Sequence, residues 1–501
     1  MKTYYNVNVK LCTCGNYLST VIFYACKSSF MQTIFWKGSS MNLSIHDTLK
    51  ARLGGKHCAV LGVGISNTPL IDFLLDLGAT VSAYDQKNRE ALGDLPAKLE
   101  EKGVSLTLGQ TAFDEITAEV IFKSPGIRPD IPGILRAVEN GAELTSEMQL
   151  FFEYCPCHTI AITGSDGKTT TTTLISKILE ADGKRVFLGG NIGAPLLPRI
   201  YEMTPDDYAV AELSSFQLQV MTRSPEVAVI TNITPNHLNW HTGMEEYTEA
   251  KANILSFQNS GNRAVLNWDN EITHSLASRV AGEVTFVSTS CKPDAPSAAY
   301  VEDGFVCLDG ERVMERSAIL LPGRHNLENY LSATAALKGL VAPASIETVA
   351  RTFGGVEHRC ELVRRLNGVR YYNSSIDSSP TRTMAALSNF PEKVIVICGG
   401  YDKHIPYDPL GTPLCERAKV VLLTGATAPQ IKAAVLASPA YAPDHPVLID
   451  CTDLADAVQK AHEIAQNGDI VLLSPASASF DCFKNFEERG RFFKDQVNQL
   501  N

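Results

Sequence analysis

The sequence lacks the cysteine spacing that a structural zinc site requires. It contains 13 cysteines, an odd number scattered along the chain. Two pairs, Cys12 with Cys14 and Cys155 with Cys157, are separated by one residue, and no C-x-x-C pair is present. Zinc ribbons and fingers need paired ligands at that wider spacing. We therefore predict reduced thiols in a cytosolic protein, most of them filling the core.

An excess of positive charge and a long apolar run are also missing. The formal net charge is -11, so the molecule as a whole repels a nucleic-acid backbone and we expect no nucleic-acid partner. The apolar run from Thr20 to Cys26 is shorter than the ~20 residues that cross a bilayer, so we expect no membrane partner. No internal repeat and no low-complexity tract is present.

What is present is an ordinary globular composition, with 45% hydrophobic and 20% charged residues over 501 positions. This length exceeds one compact core and suits roughly three domains of about 100 to 200 residues.

Short Val/Ile/Leu/Ala runs alternate with segments of helical period from His57 onward, which is typical of parallel sheets with crossover helices. This rhythm starts three times, so we predict an α/β fold with three domains at 41–153, 154–355 and 356–501. Residues 1–40 are predicted to be an extension outside the fold. The predicted elements are strands Cys58–Gly62, Thr80–Asp85, Thr159–Thr163, Lys393–Cys398, Val420–Leu423 and Ile470–Leu473, and helices Asn67–Leu77 and Lys168–Leu179.

The strongest local motif is the segment Ile162–Thr170, in which a buried strand runs through a glycine-bearing loop into a helix. Its spacing is G-x-x-G-K-T, shorter than the usual phosphate-loop pattern. Glycines let backbone amides turn toward an anion, and the helix N-terminus adds positive potential. Lys168 would neutralise nucleotide phosphates, and a hydroxyl of Thr169 or Thr170 would reach Mg²⁺. The residues predicted to bind ATP here are Gly164, Ser165, Asp166, Gly167, Lys168, Thr169 and Thr170.

The shortened loop resembles that of the Mur ligases and their folylpolyglutamate synthetase relatives, and further motifs follow in the same order. They are the G-N-I-G turn at Gly190–Gly193, the E-L-S-S-F-Q-L segment at Glu212–Leu218, the T-N-x-x-x-x-H stretch at Thr231–His237 and Lys251. The resemblance implies a Rossmann-like UDP-binding domain, a central P-loop-type ATPase domain with a parallel sheet, and a C-terminal Rossmann-like α/β domain.

Glu212 and His237 each follow a buried strand, at the sheet edge where α/β proteins present ligand-binding groups. A carboxylate there is a hard oxygen ligand suited to Mg²⁺. By the resemblance, Lys251 is carbamylated and becomes a carboxylate-like ligand for a second Mg²⁺. We therefore expect Lys168, Glu212, His237 and Lys251 to be catalytic, and Thr169, Glu212, His237 and Lys251 to bind two Mg²⁺ ions. Taken singly, His237 and Lys251 are better explained as a capping histidine and a solvated helix lysine. Their order and spacing behind the phosphate loop favour the catalytic role.

The resemblance also extends to the adenine and ribose contacts of ATP. Leu321–Asn329 resembles the G-x-H-N-x-x-N element, which directs Asn326 to the adenine ring, and Arg359 in the H-R step is directed at phosphate. The segment Asn373–Thr381 departs from the common N-D-S-K-A-T-N pattern, because Ser374 and Ile376 stand where Asp and Lys are usual. Asp377 is a candidate replacement for the missing carboxylate.

Two C-terminal features point to an acidic amino acid as a substrate. The stretch Leu473–Gly490 is similar to the signature of the D-glutamate-adding members of the family, and Lys403 follows a strand as an available cation. By the resemblance, Lys403, Ser479 and Phe486 surround D-glutamate. Serines that cap the following helix are the alternative explanation of this stretch.

The first domain carries a G-x-G pattern after a strand, with an acidic residue about twenty residues later, as in dinucleotide sites. The third glycine is replaced by Asn67. In the family this fold holds a UDP-sugar, and Ser124–Ile127 resembles the S-P-G-I turn that faces it. The residues expected to bind the UDP substrate are Ser66, Asn67, Asp85, Ser124, Pro125, Gly126, Asn191, Ser214 and Gln217.

The resemblance implies ATP-dependent ligation of D-glutamate to UDP-N-acetylmuramoyl-L-alanine through an acyl phosphate, giving ADP and phosphate, in peptidoglycan precursor synthesis. Another Mur ligase or a folylpolyglutamate synthetase is the alternative within the enzyme class. A nucleotide-binding regulatory module that ligates nothing is the alternative outside it. We expect a monomer that binds small-molecule substrates.

The first forty residues contain no acidic residue. Their basic start and Ala25-Cys26 also fit a secretory signal. Export would separate the enzyme from ATP, so an extension ahead of a start at Met41 fits better, and we expect a cytoplasmic protein.

Overall fold

The computed structural model describes residues 44–64, 67–238, 240–321, 323–443 and 445–501. The predicted extension over residues 1–40 and the predicted substrate residue Ser66 lie outside these ranges. Residues Ile45–Asn501 form one compact unit, which is built on three sheets that succeed one another along the chain.

The first sheet has five parallel strands in the order β3-β2-β1-β4-β5. Its strands are β1 (His57–Leu61), β2 (Thr80–Asp85), β3 (Ser105–Leu108), β4 (Val120–Lys123) and β5 (Glu143–Thr145). Its helices are α1 (Ile45–Leu53), α2 (Asn67–Asp76), α3 (Leu95–Glu101), α4 (Pro132–Glu139) and α5 (Glu147–Tyr154), with a 3₁₀ turn at Glu90–Leu92.

The second sheet has nine strands in the order β14-β13-β12-β11-β10-β9-β6-β8-β7. The strands are β6 (His158–Thr163), β7 (Val186–Gly190), β8 (Tyr208–Glu212), β9 (Val227–Ile230), β10 (Arg263–Asn267), β11 (Glu283–Val287), β12 (Ala298–Glu302), β13 (Phe305–Leu308) and β14 (Glu311–Glu315). The helices are α6 (Lys168–Ala181), α7 (Ser215–Leu218), α8 (Met244–Ala252), α9 (Glu271–Ser275), α10 (Arg324–Ala336) and α11 (Pro343–Thr352), with 3₁₀ turns at Leu197–Glu202, Leu276–Arg279 and Arg316–Ala318.

The third sheet has six strands in the order β15-β16-β20-β17-β18-β19. The strands are β15 (Glu361–Leu366), β16 (Val369–Asn373), β17 (Val394–Gly399), β18 (Ala418–Thr424), β19 (Val447–Asp450) and β20 (Ile470–Leu473). The helices are α12 (Pro380–Ser388), α13 (Asp408–Arg417), α14 (Ala428–Leu436), α15 (Leu454–Ile464) and α16 (Phe486–Gln499).

The continuous apolar runs form strands that are covered on both faces. In β17, Val394, Val396 and Cys398 enter one buried cluster, whereas Ile395 and Ile397 enter another. Successive side chains of a strand point to opposite faces, so a run with no polar position needs helices on both sides. The three α/β units predicted from the sequence are confirmed. Pairing is antiparallel in β12–β14 and between β15 and β16, which the prediction of parallel sheets did not include.

Candidate active site

The loop between β6 and α6 has the backbone form of an anion site. Gly164 and Gly167 have φ of 144° and 80°, which favours glycine at both positions. A Cβ on Gly164 would lie 1.9 Å from Thr231 Oγ1, and one on Gly167 would lie 2.4 Å from Asn329 Oδ1. The loop is therefore packed from outside by side chains, and any larger residue would push it open.

The side chain of Lys168 is held in place by two backbone carbonyls of the loop. Lys168 Nζ donates to the carbonyls of Gly164 at 3.0 Å and Ser165 at 2.9 Å. Burial lowers the pKa of Lys168, and the charges of Glu212 and Asp166 act in the opposite direction. Both carbonyl contacts hold the ammonium at the α6 N-terminus, where an incoming phosphate would meet it.

The three hydroxyl residues of the loop lie in different surroundings. The side chain of Ser165 is buried and donates to the carbonyl of Thr234 at 2.9 Å. It also lies 2.9 Å from the hydroxyl of Tyr247, so it fixes the loop from behind. Thr169 and Thr170 are half-buried in the first turn of α6.

Glu212 ends β8 beside this loop, with its side chain almost fully buried. One carboxylate oxygen accepts a hydrogen bond of 2.8 Å from the Asn191 amide. The other oxygen, Oε2, is buried and has no hydrogen-bond partner in the described part of the chain. A buried carboxylate oxygen without a donor is costly, and a cation is the partner that such an oxygen lacks. Asn191, predicted to bind the UDP substrate, here orients Glu212.

Lys251 reaches the same place from α8. Its side chain is 2% exposed, and Nζ donates to the Gly164 carbonyl at 2.7 Å. Burial and the charge of Lys168 lower the pKa of Lys251 to about 7. Nζ also lies over the ring of Tyr247, 4.7 Å from its centroid. A buried amine with this pKa is roughly half neutral near pH 7, and the neutral form is nucleophilic.

His237 faces the two lysines from the loop that follows β9. Its φ is 55°, and its ring packs edge-on against Phe216 with centroids 5.2 Å apart. Burial lowers the pKa of His237, with further contributions from the charges of Lys168 and Lys251. The lowered pKa favours the neutral form of the imidazole.

Arg359 is brought to this cluster from the segment that follows α11. Burial is the largest cause that lowers the pKa of Arg359, and Glu212 and Asp166 act against it. The cluster thus gathers Lys168, Lys251 and Arg359 around Glu212 and Asp166. Within the described ranges, no group of three or more His, Cys, Asp and Glu side chains is arranged to hold a metal. A metal here would therefore need donors beyond these residue types.

Asn326 lies half-buried in the first turn of α10. The second turn of α10 contributes two further residues. Asn329 Oδ1 accepts from the hydroxyl of Thr171 at 3.2 Å, and the Glu328 carboxylate accepts from the Asn267 amide at 2.8 Å. The sequence feature that could have identified this turn is Asn329, the second asparagine of the G-x-H-N-x-x-N element.

In the first sheet, Asn67 ties the two predicted UDP-contact turns together. Its amide nitrogen donates to the Gly62 carbonyl at 2.8 Å and the Ser124 hydroxyl at 2.7 Å. Asp85 accepts from the backbone amide of Val63 at 2.7 Å, so its carboxylate stabilises the glycine turn. Both side chains therefore shape the turn at the end of β1.

A cleft runs from this turn to α7 of the second sheet. Lys123, which was missed in the sequence, lines it with a side chain that is 3% exposed. Its Nζ donates to the Ser124 carbonyl at 3.1 Å, and burial lowers the pKa of Lys123 to about 8. The sequence feature that could have identified Lys123 is its position directly before the S-P-G-I turn. Predicted residues on the cleft wall are Asn67, Pro125 and Gln217.

The remaining predicted UDP-contact residues have contacts within the protein. Ser214 and Gln217 form a capping box at the start of α7, in which each side chain bonds the backbone of the other. The carbonyl of Gly126 accepts a hydrogen bond of 3.2 Å from the Trp240 ring nitrogen. These contacts join the cleft to the loop that carries His237.

The third sheet holds the residues that depart from the common motif. Asp377 is buried, and its carboxylate accepts from the Ser474 hydroxyl at 2.8 Å. Burial raises the pKa of Asp377 to about 6, while a hydrogen bond from Ser374 and the charges of Arg382 and Arg359 lower it. Ser374 and Asp377 therefore contact each other, and the carboxylate lies within electrostatic reach of Arg359.

The residues predicted to surround D-glutamate come from neighbouring loops of this sheet. Tyr401 and Ala478 form a backbone bridge, which places the turn with the exposed Lys403 beside the loop with the buried Ser479. Phe486 begins α16 and packs edge-on against His358, with centroids 6.2 Å apart.

Arg489 holds these loops together. No role was predicted for this residue from the sequence. It is buried and donates to the carbonyls of Ser375, Ser477 and Ala478 at 2.8, 3.1 and 2.9 Å.

No helix among the described residues is long and apolar enough to cross a membrane.

Three family models match successive parts of the chain. They are the Mur ligase MurD-like N-terminal domain over residues 56–146, the Mur ligase middle domain over residues 162–337 and the Mur ligase glutamate ligase domain over residues 358–477.

Curated relatives match over almost their whole length. The UDP-N-acetylmuramoylalanine–D-glutamate ligase of Acetivibrio thermocellus is 48% identical over 467 residues, which cover 92% of this chain and 100% of the relative. The enzyme of the same name from Clostridium kluyveri is 48% identical over 91% of this chain and 99% of its own. That of Clostridium perfringens is 46% identical over 90% and 98%.

Solved structures share the fold. The UDP-N-acetylmuramate-alanine ligase of Thermotoga maritima superposes with a TM-score of 0.52 over 88% of this chain and 99% of its own. A UDP-N-acetylmuramoyl-L-alanyl-D-glutamate–2,6-diaminopimelate ligase gives 0.54 over 77% and 93%. Both are 18% identical to this chain. With near-complete coverage of relatives at 48% identity, these matches show that the chain belongs to the Mur ligase family.

Proposed function

We propose that this chain forms the amide bond between UDP-N-acetylmuramoyl-L-alanine and D-glutamate, with ATP converted to ADP and phosphate. The observation that carries the proposal is the match to relatives of that name over their whole length. The gathering of Lys168, Lys251 and Glu212 at one sheet edge supports it. The predicted domain boundaries after residues 153 and 355, and the roles of the individual site residues, belong to the same proposal.

The reaction begins with an attack of the alanine carboxylate on the γ-phosphorus of ATP. ADP leaves, and the product is an acyl phosphate. The amine of D-glutamate then attacks the acyl carbon, loses a proton, and phosphate leaves from the tetrahedral intermediate. Holding the reactants together supplies much of the acceleration in reactions of this kind.

The first step brings two anions together. At 4 Å, two unit charges repel by about 4 kcal/mol in surroundings of intermediate polarity. Lys168 and Arg359 bring positive charge to this cluster. We propose that this charge favours the approach and stabilises the charge that develops during phosphoryl transfer.

Mur ligases use ATP and Mg²⁺, and the residues present fit the metal. Mg²⁺ is commonly held by one or two carboxylates together with substrate phosphates and water. The unpartnered Glu212 Oε2 supplies such a carboxylate, and Thr169 and His237 are the further ligands that we propose. When bound, the metal supplies positive charge to the phosphate oxygens. We propose two such sites, one of them involving Lys251.

Lys251 is proposed to carry a carbamate. A neutral amine adds to CO₂ and releases a proton, which gives an anionic group with two oxygen donors. The pKa of about 7 leaves a large neutral fraction at neutral pH, and that fraction supports the reaction. The modified side chain would then present oxygens toward the phosphate loop.

The cleft between the first and second sheets is proposed to hold the UDP substrate. The glycine turn after β1 is braced by Asn67 and Asp85, and α2 begins directly after it, so its amides suit a diphosphate. Lys123 adds a buried cation to the same cleft. Ser66, which lies outside the described residues, stays a predicted contact of the same substrate.

For D-glutamate we propose the loops around Lys403, Ser479 and Phe486. Because the nucleotide substrates and the amino acid bind on different sheets, we also propose that the C-terminal part closes during turnover. We propose that the protein acts as a monomer. The use of ATP supports a cytoplasmic location.

A phosphate-release assay with UDP-N-acetylmuramoyl-L-alanine, ATP and Mg²⁺ tests the function. We expect release that requires D-glutamate and is not supported by L-glutamate or L-alanine. Release with another amino acid, or with a folate substrate, would assign the chain to another ligase of this superfamily. ATP binding without release under any of these conditions would favour a regulatory module.

A further inference from the structure

Two cysteines lie in the segment that joins α5 to β6. α5 ends at Tyr154, and the amide of Cys155 donates to the carbonyl of Phe151 at 2.8 Å. Pro156 follows, with its φ restricted by the ring, and Cys157 directly precedes β6. The helix end and the strand start therefore fix both cysteine backbones on either side of one proline.

This arrangement turns the two thiols toward each other. The sulfur atoms of Cys155 and Cys157 are 3.3 Å apart. Cys157 is 6% exposed, and Cys155 is half-buried. The sulfur of Met203 lies 3.9 Å from that of Cys157. Contacts with Cys155 and Met203 thus restrain the Cys157 thiol beside its neighbour.

The pair is also polarised. A hydrogen bond from the Cys155 thiol lowers the pKa of Cys157, and the same bond raises the pKa of Cys155. The thiolate is the reactive form of cysteine. This polarisation favours Cys157 as the nucleophile of the pair, and the Cys155 sulfur, 3.3 Å away, is placed to resolve what forms on it.

We propose that Cys155 and Cys157 form a reversible redox site that hydrogen peroxide oxidises to an intramolecular disulfide. The Cys157 sulfur attacks a peroxide oxygen, which gives a sulfenic acid and the first water. The Cys155 sulfur then attacks the Cys157 sulfur, the S–O bond breaks and the second water leaves. The two thiols lose two electrons and two protons, and one peroxide is reduced to two waters.

Peroxide suits this site because it is small enough to reach a sulfur that is mostly covered. The site does not depend on the proposed ligase reaction, since its chemistry needs the two thiols and the oxidant alone. It lies between the helix that begins with Glu147 on the cleft wall and the strand that leads into the phosphate loop. A disulfide here would tie the end of that helix to the start of the strand.

The test is peptide mapping of the full-length protein after brief treatment with hydrogen peroxide. Complete tryptic cleavage gives the peptide 137–168, which contains Cys155 and Cys157 and no other cysteine. After peroxide, we expect the mass of this peptide to fall by two hydrogen atoms and neither cysteine to be alkylated. Reduction with dithiothreitol should restore the original mass and both free thiols. The peptide 461–484, with the exposed Cys482, reports whether the oxidant acted.

Variants separate the two cysteines. In Cys155→Ser we expect the sulfenic acid on Cys157 to persist and to be trapped by dimedone. In Cys157→Ser we expect no disulfide and slower oxidation of Cys155. The control Cys482→Ser should form the disulfide as the unaltered chain does. If either variant fails to fold, alkylation of the unaltered chain before and after peroxide still decides the question.

Two outcomes would overturn the proposal. One is a peptide 137–168 that keeps both thiols while Cys482 is oxidised. The other is a mixed disulfide or sulfonic acid on either cysteine in place of the internal bond. Formation of the internal disulfide in inactive protein would support the site and leave the proposed ligase function to its own assay.

Discussion

The phosphate-loop site and the amino-acid loops of the third sheet differ in how their charges are held. Around the phosphate loop, Lys168 and Lys251 are fixed by hydrogen bonds to the same carbonyl of Gly164. Lys403 in the third sheet is exposed, and the loops near it are positioned by Arg489 through backbone carbonyls. The cations of the first site are held in place at one sheet edge, whereas the cation proposed for the second lies on an exposed turn. Substitutions in the first should therefore act on catalysis, and those in the second on affinity.

The largest effect is expected for Lys168→Met. Removal of the buried cation at the γ-phosphate should lower kcat by about 10³-fold or more, because charge stabilisation dominates phosphoryl transfer. Phosphate release measures it. The control is Lys177→Met on the exposed face of α6, which should keep normal activity. Unchanged turnover in Lys168→Met would remove the phosphate loop from the mechanism.

Lys251→Ala should lower kcat by about 10²- to 10³-fold, in the range of a lost group that stabilises the transition state. If the lysine acts as a carbamate, short carboxylic acids such as acetate should restore part of the activity. Lys251→Arg should remain inactive because arginine forms no carbamate.

The pH dependence sharpens this prediction. Carbamate formation needs the neutral amine, whose fraction rises as pH increases through the pKa of about 7. Removal of CO₂ should therefore reduce activity more at pH 6 than at pH 8. Equal activity with and without CO₂ at both pH values would contradict the carbamate.

Lys403→Ala tests the other side of the comparison. Loss of one cation facing a carboxylate should raise KM for D-glutamate by about 10- to 100-fold, which corresponds to about 1.5 to 3 kcal/mol for a charged hydrogen bond. The kcat should change little. A fall in kcat at unchanged KM would place Lys403 in the reaction itself.

Asp377 offers a test by exchange of position. Asp377→Asn should raise KM for ATP by about tenfold, since a contact worth about 1.4 kcal/mol is lost. The double variant Ser374→Asp, Asp377→Ala returns the carboxylate to the position usual in the family, and it should recover most of that loss. If Asp377→Asn raises KM for ATP and the double variant does not recover the loss, the two positions are not equivalent.

The smallest effect is expected for Lys123→Met, with a rise of about tenfold or less in KM for the UDP substrate. In the unaltered enzyme the ammonium is lost as pH rises through about 8, so this KM should increase above that pH. The methionine variant should show no such increase. The two curves can be compared directly in the phosphate-release assay.

The sequence by itself determined the three α/β units, the phosphate loop and the family. Uninterrupted apolar strands and the glycine-lysine-threonine loop depend on local chain geometry, which short motifs record directly. The antiparallel pairing of β13, β14 and β15 was not foreseen, because pairing partners are set by the rest of the sheet.

Only the tertiary structure decided which side chains share surroundings. Asn191, which was predicted to bind substrate, bonds Glu212, and Lys123 lines the cleft. Such relations depend on burial and on distances across separate elements. Spacing along the chain does not encode them, since parallel sheets bring together residues that lie far apart in the sequence.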